Sequence, residues 1–107
     1  MVIKQYDIYI VNLDPTIGSE IKKTRPCVVL SPNEMNSGLR TVQIAPMTTS
    51  PRDYPWRVSI VFKKKSGFIA LDQIRTIDKQ RLVKRIGTVQ HDTVDKVKET
   101  LHEMLIA

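Results

Sequence analysis

Residues 27–32 read Cys-Val-Val-Leu-Ser-Pro, a run of four apolar residues that ends at a serine–proline pair. A short apolar run bounded by turn-forming residues is typical of a strand buried on both faces. Similar short runs that favour β-structure recur along the rest of the chain. With 27–30, they predict seven strands, the other six lying over residues 6–13, 41–47, 56–62, 68–71, 73–77 and 82–87.

The end of the chain has a different period. Five apolar residues recur there at helical spacing and form one stripe, with Asp92 or Thr93 as the predicted N-cap. An isolated amphipathic helix of this length is marginal in water, so its stripe must pack on the sheet. We therefore predict a mainly β fold with a C-terminal helix, a small bent β-barrel in which residues 1–107 form a single domain. The stripe consists of Val94, Val97, Leu101, Met104 and Leu105.

The composition is that of an ordinary globular protein, with 41% hydrophobic and 26% charged residues. No apolar stretch is long enough for a membrane span and the start lacks a signal-like apolar region, which predicts a cytoplasmic protein without a membrane partner. The net charge is +6, and residues 92–107 carry four acidic residues against two lysines, so residues 1–91 carry +8. This asymmetry indicates a polyanion partner, the alternative being an ordinary protein of high pI.

The residue arrangements that most hydrolases use for catalysis are absent from this sequence. His91 and His102 are expected on the surface near or within the helix, so an acid/base pair of histidines is not predicted. The carboxylates lack the spacing of metal ligands, and neither a metal nor another cofactor is predicted. Cys27 lies within an apolar strand, where a buried, inert thiol is expected, and one cysteine cannot form an internal disulfide.

The remaining candidates for a functional site are arginine and hydroxyl side chains. Pro26 favours an extended backbone at Arg25, whose guanidinium could bind a phosphate through two hydrogen bonds or simply lie on the surface. Residues 48–50 are three consecutive hydroxyl residues that could bind phosphate oxygens or satisfy a turn. The loop over residues 14–24 is long for a hairpin connection, which is typical of functional loops. Lys63–Lys65, before a turn at Ser66–Gly67, are expected at a solvated hairpin tip.

Four blocks together resemble the MazF/PemK (Kid) toxin family. They are Leu-Asp-Pro-Thr-Ile-Gly-Ser-Glu at 13–20, Arg-Pro-Cys-Val-Val-Leu-Ser-Pro at 25–32, Pro-Met-Thr-Thr at 46–49 with Tyr-Pro at 54–55, and Leu-Asp-Gln-Ile-Arg-Thr-Ile-Asp at 71–78. The resemblance implies an SH3-like barrel that forms a homodimer. It also implies a ribosome-independent endoribonuclease that cuts single-stranded RNA at short motifs and is inhibited by the acidic segment of an antitoxin.

The same resemblance assigns site residues. The catalytic pair of the MazF branch matches Arg25 and Thr48, and a supporting loop glutamate matches Glu20. The Kid branch uses an aspartate as base, which matches Asp72, but its histidine and second arginine correspond here to Ser19 and Ala70. The MazF-type site is therefore expected, with Asp72 structural or RNA-positioning.

Binding of single-stranded RNA needs stacking surfaces and phosphate contacts. Tyr54 and Trp56 could stack on bases, although Trp56 could equally pack in the core. The other RNA-binding residues that we predict are Ser19, Lys22, Lys23, Thr49, Ser50, Arg52, Arg57, Asp72 and Gln73. The alternative function is that of the related CcdB toxins, which bind DNA gyrase without nuclease activity, but they lack the arginine–proline and threonine–threonine combination found here.

Overall fold

The computed structural model describes residues 2–50 and 54–106. These ranges contain nine helices and strands, joined by turns and by one long loop between the first two strands, and two of the turns are 3-10 helices at Leu71–Gln73 and Lys79–Arg81. The strands are β1 (Asp7–Asn12), β2 (Thr24–Val29), β3 (Thr41–Thr48), β4 (Arg57–Phe62), β5 (Lys65–Ala70), β6 (Arg75–Asp78) and β7 (Leu82–Thr88). The helices are α1 (Asn33–Gly38) and α2 (His91–Leu105).

The strands form an antiparallel sheet in the order β4-β5-β3-β2-β1-β7, and β6 also pairs with β3. Strand β3 gives the sheet its bend. Its first half pairs with β6 from Thr41 to Ile44, whereas its last two residues, Met47 and Thr48, pair with β5. The sheet therefore curls around β3 into a half-barrel, and the predicted mainly β fold with a C-terminal helix is confirmed.

Strand β2 is buried on both faces, as its apolar sequence predicts. Cys27 and Val29 belong to one apolar cluster and Val28 belongs to another, and all three side chains are fully buried. Successive side chains of a strand point to opposite faces, so each face of β2 packs against its own cluster. The second cluster also contains Val94 and Val97 of α2, which covers that face of the sheet.

The start and end of α2 differ from the sequence prediction. The helix begins at His91, with Gln90 at the N-cap, so neither Asp92 nor Thr93 caps it and His91 lies within the helix. The Asp92 carboxylate accepts the Thr93 backbone N–H at 2.9 Å instead. At the other end the stripe runs past the sheet, and Leu105 is 70% exposed.

The predicted turn at Ser66–Gly67 is also wrong. The turn between β4 and β5 is formed by Lys63 and Lys64, both with positive φ (49° and 65°), and Ser66–Gly67 lie inside β5. Two-residue hairpin turns with two positive φ angles match the twist of the strands and usually contain glycine or asparagine, which is why the glycine-containing pair was favoured as the turn. The expectation that the lysines lie at an exposed hairpin tip is met by Lys63 and Lys64. The short helix α1 was not predicted, because six residues, Asn-Glu-Met-Asn-Ser-Gly, are too few to show a helical period.

Within the described ranges, no helix is long and apolar enough to cross a membrane.

Candidate active site

Arg25 and Thr48 lie on neighbouring strands. Strands β2 and β3 are antiparallel, and the last residue pair between them is Cys27 opposite Pro46. Arg25 and Thr48 each lie two residues beyond this pair, Arg25 near the start of β2 and Thr48 at the end of β3. Both residues line a cavity of about 210 Å³ at this end of the sheet. The rest of its lining comes from the adjoining residues of β2 and β3 and from the β4–β5 hairpin, namely Pro26, Met47, Thr49, Phe62, Lys65, Ser66 and Gly67.

The Arg25 side chain is half-buried and oriented by the backbone of the loop before it. Its Nε–H donates to the carbonyl oxygen of Lys22 at 2.8 Å. A guanidinium carries five N–H donors, so this hydrogen bond leaves the two terminal NH₂ groups for a ligand in the cavity. The orientation suits bidentate binding of a phosphate.

The Thr48 hydroxyl has one defined role in the turn that follows β3. Its Oγ1 accepts the backbone N–H of Ser50 at 3.2 Å. A hydroxyl that accepts one hydrogen bond still has its own O–H to donate. The turn-forming and phosphate-binding interpretations of residues 48–50 are therefore compatible, and Thr49 is exposed on the cavity lining.

In the long loop between β1 and β2, the two ends are joined by hydrogen bonds and the tip is exposed. Leu13 N–H donates to the carbonyl oxygen of Lys23 at 3.0 Å, and Lys23 N–H donates to Asp14 Oδ1 at 3.1 Å. At the tip, Glu20 is exposed and its Oε1 accepts the Ile17 N–H at 2.5 Å. Ser19 and Lys22 are also exposed, and neither they nor Glu20 line the Arg25 cavity.

Three side chains from the segment 73–81 hold this loop, and two of them were missed by sequence reasoning. Arg75 Nη1 donates to the Leu13 carbonyl oxygen at 2.9 Å. Arg81 Nη1 donates to the carbonyl oxygens of Asn12 and Asp14 at 3.2 and 2.6 Å. Gln73, which we predicted as an RNA contact, accepts the Ile21 N–H on its Oε1 at 3.1 Å. These partners are more than 50 residues apart in sequence, so no local pattern could have revealed them.

Asp72 is engaged in a two-point ion pair. Its two carboxylate oxygens accept Nε–H and Nη2–H of Arg57, each at 3.1 Å. The Arg57 side chain is only 11% exposed and also lies 5.7 Å from the centre of the Tyr54 ring. Tyr54 in turn stacks on Trp56, with ring centres 5.0 Å apart and planes 15° apart.

This aromatic group lies toward α2. Tyr54 and Arg57 line one cavity with Lys96 and Glu99, and Trp56 lines a neighbouring one. Neither cavity shares a lining residue with the Arg25 cavity. The structure thus brings Arg25, Thr48 and Thr49 together and places the aromatic pair apart from them. Arg52 lies outside the described residues.

Cys27 is adjacent in sequence to the site but fully buried. Burial raises the pKa of its thiol to about 12, which opposes formation of a nucleophilic thiolate. The Sγ–H donates to the Arg25 carbonyl oxygen at 3.7 Å. Over residues 2–50 and 54–106, no group of three or more His, Cys, Asp or Glu side chains could hold a metal ion.

The structure therefore defines a class of small protein: a curled antiparallel half-barrel with a C-terminal helix and a cavity lined by an arginine and a threonine. The family profile described as PemK-like, MazF-like toxin of type II toxin–antitoxin system matches residues 4–105, and the chain belongs to this family. Endoribonuclease EndoA of Bacillus subtilis (strain 168) is 36% identical over 107 residues, which span 94% of this chain and 92% of that protein.

Two further proteins agree with this assignment. Endoribonuclease toxin MazF of Escherichia coli (strain K12) is 31% identical over 100 residues, covering 92% of this chain and 90% of that protein. The crystal structure of MazF from Deinococcus radiodurans superimposes with a TM-score of 0.87 at 26% identity, covering 98% of this chain and 97% of that one. The resemblance drawn from the sequence motifs is thereby confirmed.

Proposed function

We propose that this protein is the endoribonuclease toxin of a type II toxin–antitoxin system and cuts single-stranded RNA independently of the ribosome, at short sequence motifs. The observation that carries the proposal is that Arg25 of β2 and Thr48 of β3 line the same cavity. The names of its relatives support the same activity. In this proposal the RNA supplies its own nucleophile, and the protein supplies orientation and charge.

Arg25 is proposed to stabilise the negative charge that grows on the phosphate. The RNA 2′-hydroxyl attacks the adjacent phosphorus in line, and charge accumulates on the non-bridging oxygens. A guanidinium is a permanent cation with several N–H donors, which suits it to this role. Its Nε–H is already bonded to the Lys22 carbonyl oxygen, so the terminal NH₂ groups would face the phosphate.

Thr48 is proposed to donate its hydroxyl hydrogen to a non-bridging phosphate oxygen and to hold the scissile linkage in register. A hydroxyl is too weak a base to take the 2′-proton. That proton would pass to Glu20, to the substrate or to solvent. The 5′-oxygen leaves and gains a proton, and the products carry a 2′,3′-cyclic phosphate and a 5′-hydroxyl.

The remaining RNA contacts would come from the loop and from the turn after β3. Lys22 and Lys23 are exposed cations at the base of the loop and are suited to phosphates. Thr49 and Ser50 offer hydroxyls close to Thr48. Outside the cavity, Trp56 is 39% exposed and stacks on Tyr54. An RNA base farther along the bound RNA could stack on this aromatic pair.

The partner of such a toxin is an antitoxin, and the charge distribution favours an acidic one. Residues 1–91 carry a net charge of +8, so an acidic segment could compete with RNA for the same surface. We also propose that the working unit is a homodimer. Light scattering of the purified chain would test the dimer, and competition between RNA and an acidic antitoxin peptide would test the shared surface.

The decisive experiment incubates the purified protein with a long single-stranded RNA and maps the cut ends. We expect cuts at a recurring short motif, with 2′,3′-cyclic phosphate ends. Arg25→Ala should lower cleavage by at least ~10²-fold, the scale of losing one charge-stabilising donor. Arg40→Ala, at an exposed arginine outside the cavity, is the matched control and should cut like the wild type.

Two outcomes would redirect the assignment. Cleavage that EDTA abolishes and a divalent metal restores would indicate a metal-dependent nuclease instead. Inhibition of DNA gyrase without any RNA fragments would select the CcdB-like function. Cleavage retained by Arg25→Ala would refute the site.

A further inference from the structure

The side chain of Gln73 binds the backbone of the long loop that precedes Arg25. It ends the 3-10 turn Leu71–Gln73, which one residue, Ile74, separates from β6. Its side-chain oxygen accepts the backbone N–H of Ile21 at 3.1 Å, across 52 residues of sequence. The N–H that it binds belongs to the peptide unit joining Glu20 to Ile21. Gln73 therefore fixes the backbone immediately after Glu20.

The loop segment held by Gln73 also orients Arg25. The Lys22 carbonyl, in the next residue of the loop, accepts the Arg25 Nε–H at 2.8 Å. The Ile21 side chain between these two hydrogen bonds is half-buried against the core cluster that contains Cys27. One short segment, residues 20–22, thus carries the loop carboxylate, is anchored by Gln73 and positions the arginine.

We propose that Gln73 is a positioning residue, which holds residues 20–22 of the loop so that the Arg25 guanidinium faces the scissile phosphate. This role rests on the proposed endoribonuclease function. Without the Ile21–Gln73 hydrogen bond, the peptide at Glu20–Ile21 loses its partner and the exposed tip of the loop can move. Displacement of Lys22 would release the Arg25 guanidinium from its fixed direction, and small displacements of a catalytic group cost orders of magnitude in rate.

This role differs from direct recognition of RNA, and the two make opposite demands on the side chain. Anchoring the loop needs only an acceptor at the Oε1 position, because the partner is a backbone N–H. A carboxylate can supply that acceptor. A contact to RNA would suffer from a carboxylate, because the added negative charge would face the phosphates. Gln73→Glu and Gln73→Met therefore separate the two roles.

The test measures three properties of each variant: amide hydrogen exchange at Ile21, RNA affinity, and the single-turnover cleavage rate at saturating protein. In Gln73→Met, which keeps the shape but removes the acceptor, we expect Ile21 exchange to accelerate by at least ~10-fold. We expect its cleavage rate to fall by ~10–100-fold and its Kd for RNA to stay within about twofold. Gln73→Glu should restore exchange protection and most of the rate.

Gln80→Met is the matched control. Gln80 is an exposed glutamine on the neighbouring 3-10 turn Lys79–Arg81, and the variant should resemble the wild type in all three measurements. Unchanged Ile21 exchange or unchanged cleavage in Gln73→Met would overturn the positioning role. So would a loss of RNA affinity that is larger in Gln73→Glu than in Gln73→Met.

Cleavage by the wild-type protein distinguishes a failure of the endoribonuclease function from a failure of the positioning role of Gln73. A wild-type protein that leaves every RNA intact would refute the endoribonuclease function and this role with it. Cleavage by the wild type together with an equal rate in Gln73→Met would refute the positioning role alone. A circular dichroism spectrum and thermal melt of each variant would establish that the fold persists.

Discussion

The backbone of Thr48 passes directly over Gly67. A Cβ atom built on Gly67 would lie 2.9 Å from the Thr48 carbonyl oxygen, closer than real Cβ atoms approach a neighbour. Strands β3 and β5 pair at this point, with Thr48 opposite Phe68. The absence of a side chain at position 67 therefore lets β5 approach Thr48, the residue that we propose as a hydrogen-bond donor to the phosphate.

Gly67→Ala should displace Thr48 and reduce cleavage. The atom that blocks the new methyl group belongs to the backbone, so the strand itself must shift, at a cost of about 1–3 kcal/mol in unfolding free energy. Urea denaturation and the cleavage rate of the variant measure the two effects. Gly38→Ala, where a Cβ meets nothing within 4 Å, is the control. Equal stability and activity of Gly67→Ala and the wild type would contradict the close approach.

The Thr48 hydroxyl, rather than its methyl group, should support cleavage. Thr48→Ser keeps the O–H and should retain cleavage within about tenfold, whereas Thr48→Val removes it and should lose ~10²-fold or more. Valine also removes the acceptor for the Ser50 N–H, so the melting temperature of both variants should be compared. A fully active Thr48→Val would show that the hydroxyl takes no part in the reaction.

The pair of Arg57 and Asp72 should stabilise the fold rather than act in proton transfer. The two side chains are 11% and 28% exposed and meet through two hydrogen bonds. A double-mutant cycle with Asp72→Asn and Arg57→Gln should give a coupling free energy of about 1 kcal/mol in urea denaturation.

Cleavage distinguishes this structural role from that of a general base. Asp72→Asn should keep the cleavage rate within about tenfold, because the carboxylate is held by Arg57. A loss of ~10³-fold or more with an intact fold would instead identify Asp72 as the base.

Burial of Cys27 should make stability fall at alkaline pH. The pKa of the thiol rises from 9.0 to about 12 in the folded protein, so above pH 9.0 the unfolded chain loses this proton while the native protein keeps it. Stability is therefore fully present below pH 9.0 and is lost as the pH rises toward the folded pKa, by up to about 1.4 kcal/mol per pH unit.

The comparison with Cys27→Ala isolates this contribution, because the lysines and tyrosines titrate in both proteins. The difference in unfolding free energy between the two should be constant below pH 9.0 and should shrink above it. The native thiol should also resist a thiol reagent that reacts with the unfolded chain. A pH-independent difference, or rapid labelling of the native protein, would contradict the burial.

Much of the architecture was predictable because it depends on local patterns. The run from Cys27 to Leu30 is apolar at every position, which requires two buried faces, and β2 does separate two apolar clusters. The stripe at Val94 and Val97 likewise requires a surface to cover. The turn itself was predicted at Ser66–Gly67, which lie inside β5, because the backbone conformation of the actual turn residues, Lys63 and Lys64, is one that lysine seldom adopts.

The sequence by itself determined the strands, the terminal helix, the basic body of the chain and the family, since each is encoded in neighbouring residues or in short motifs. Only the tertiary structure decided which polar side chains meet. It joined Gln73 to Ile21 and Asp72 to Arg57, and it set Gly67 beneath Thr48. The physical reason is that such contacts depend on strand register and on the curl of the sheet, which arise from packing across the whole chain rather than from any single segment.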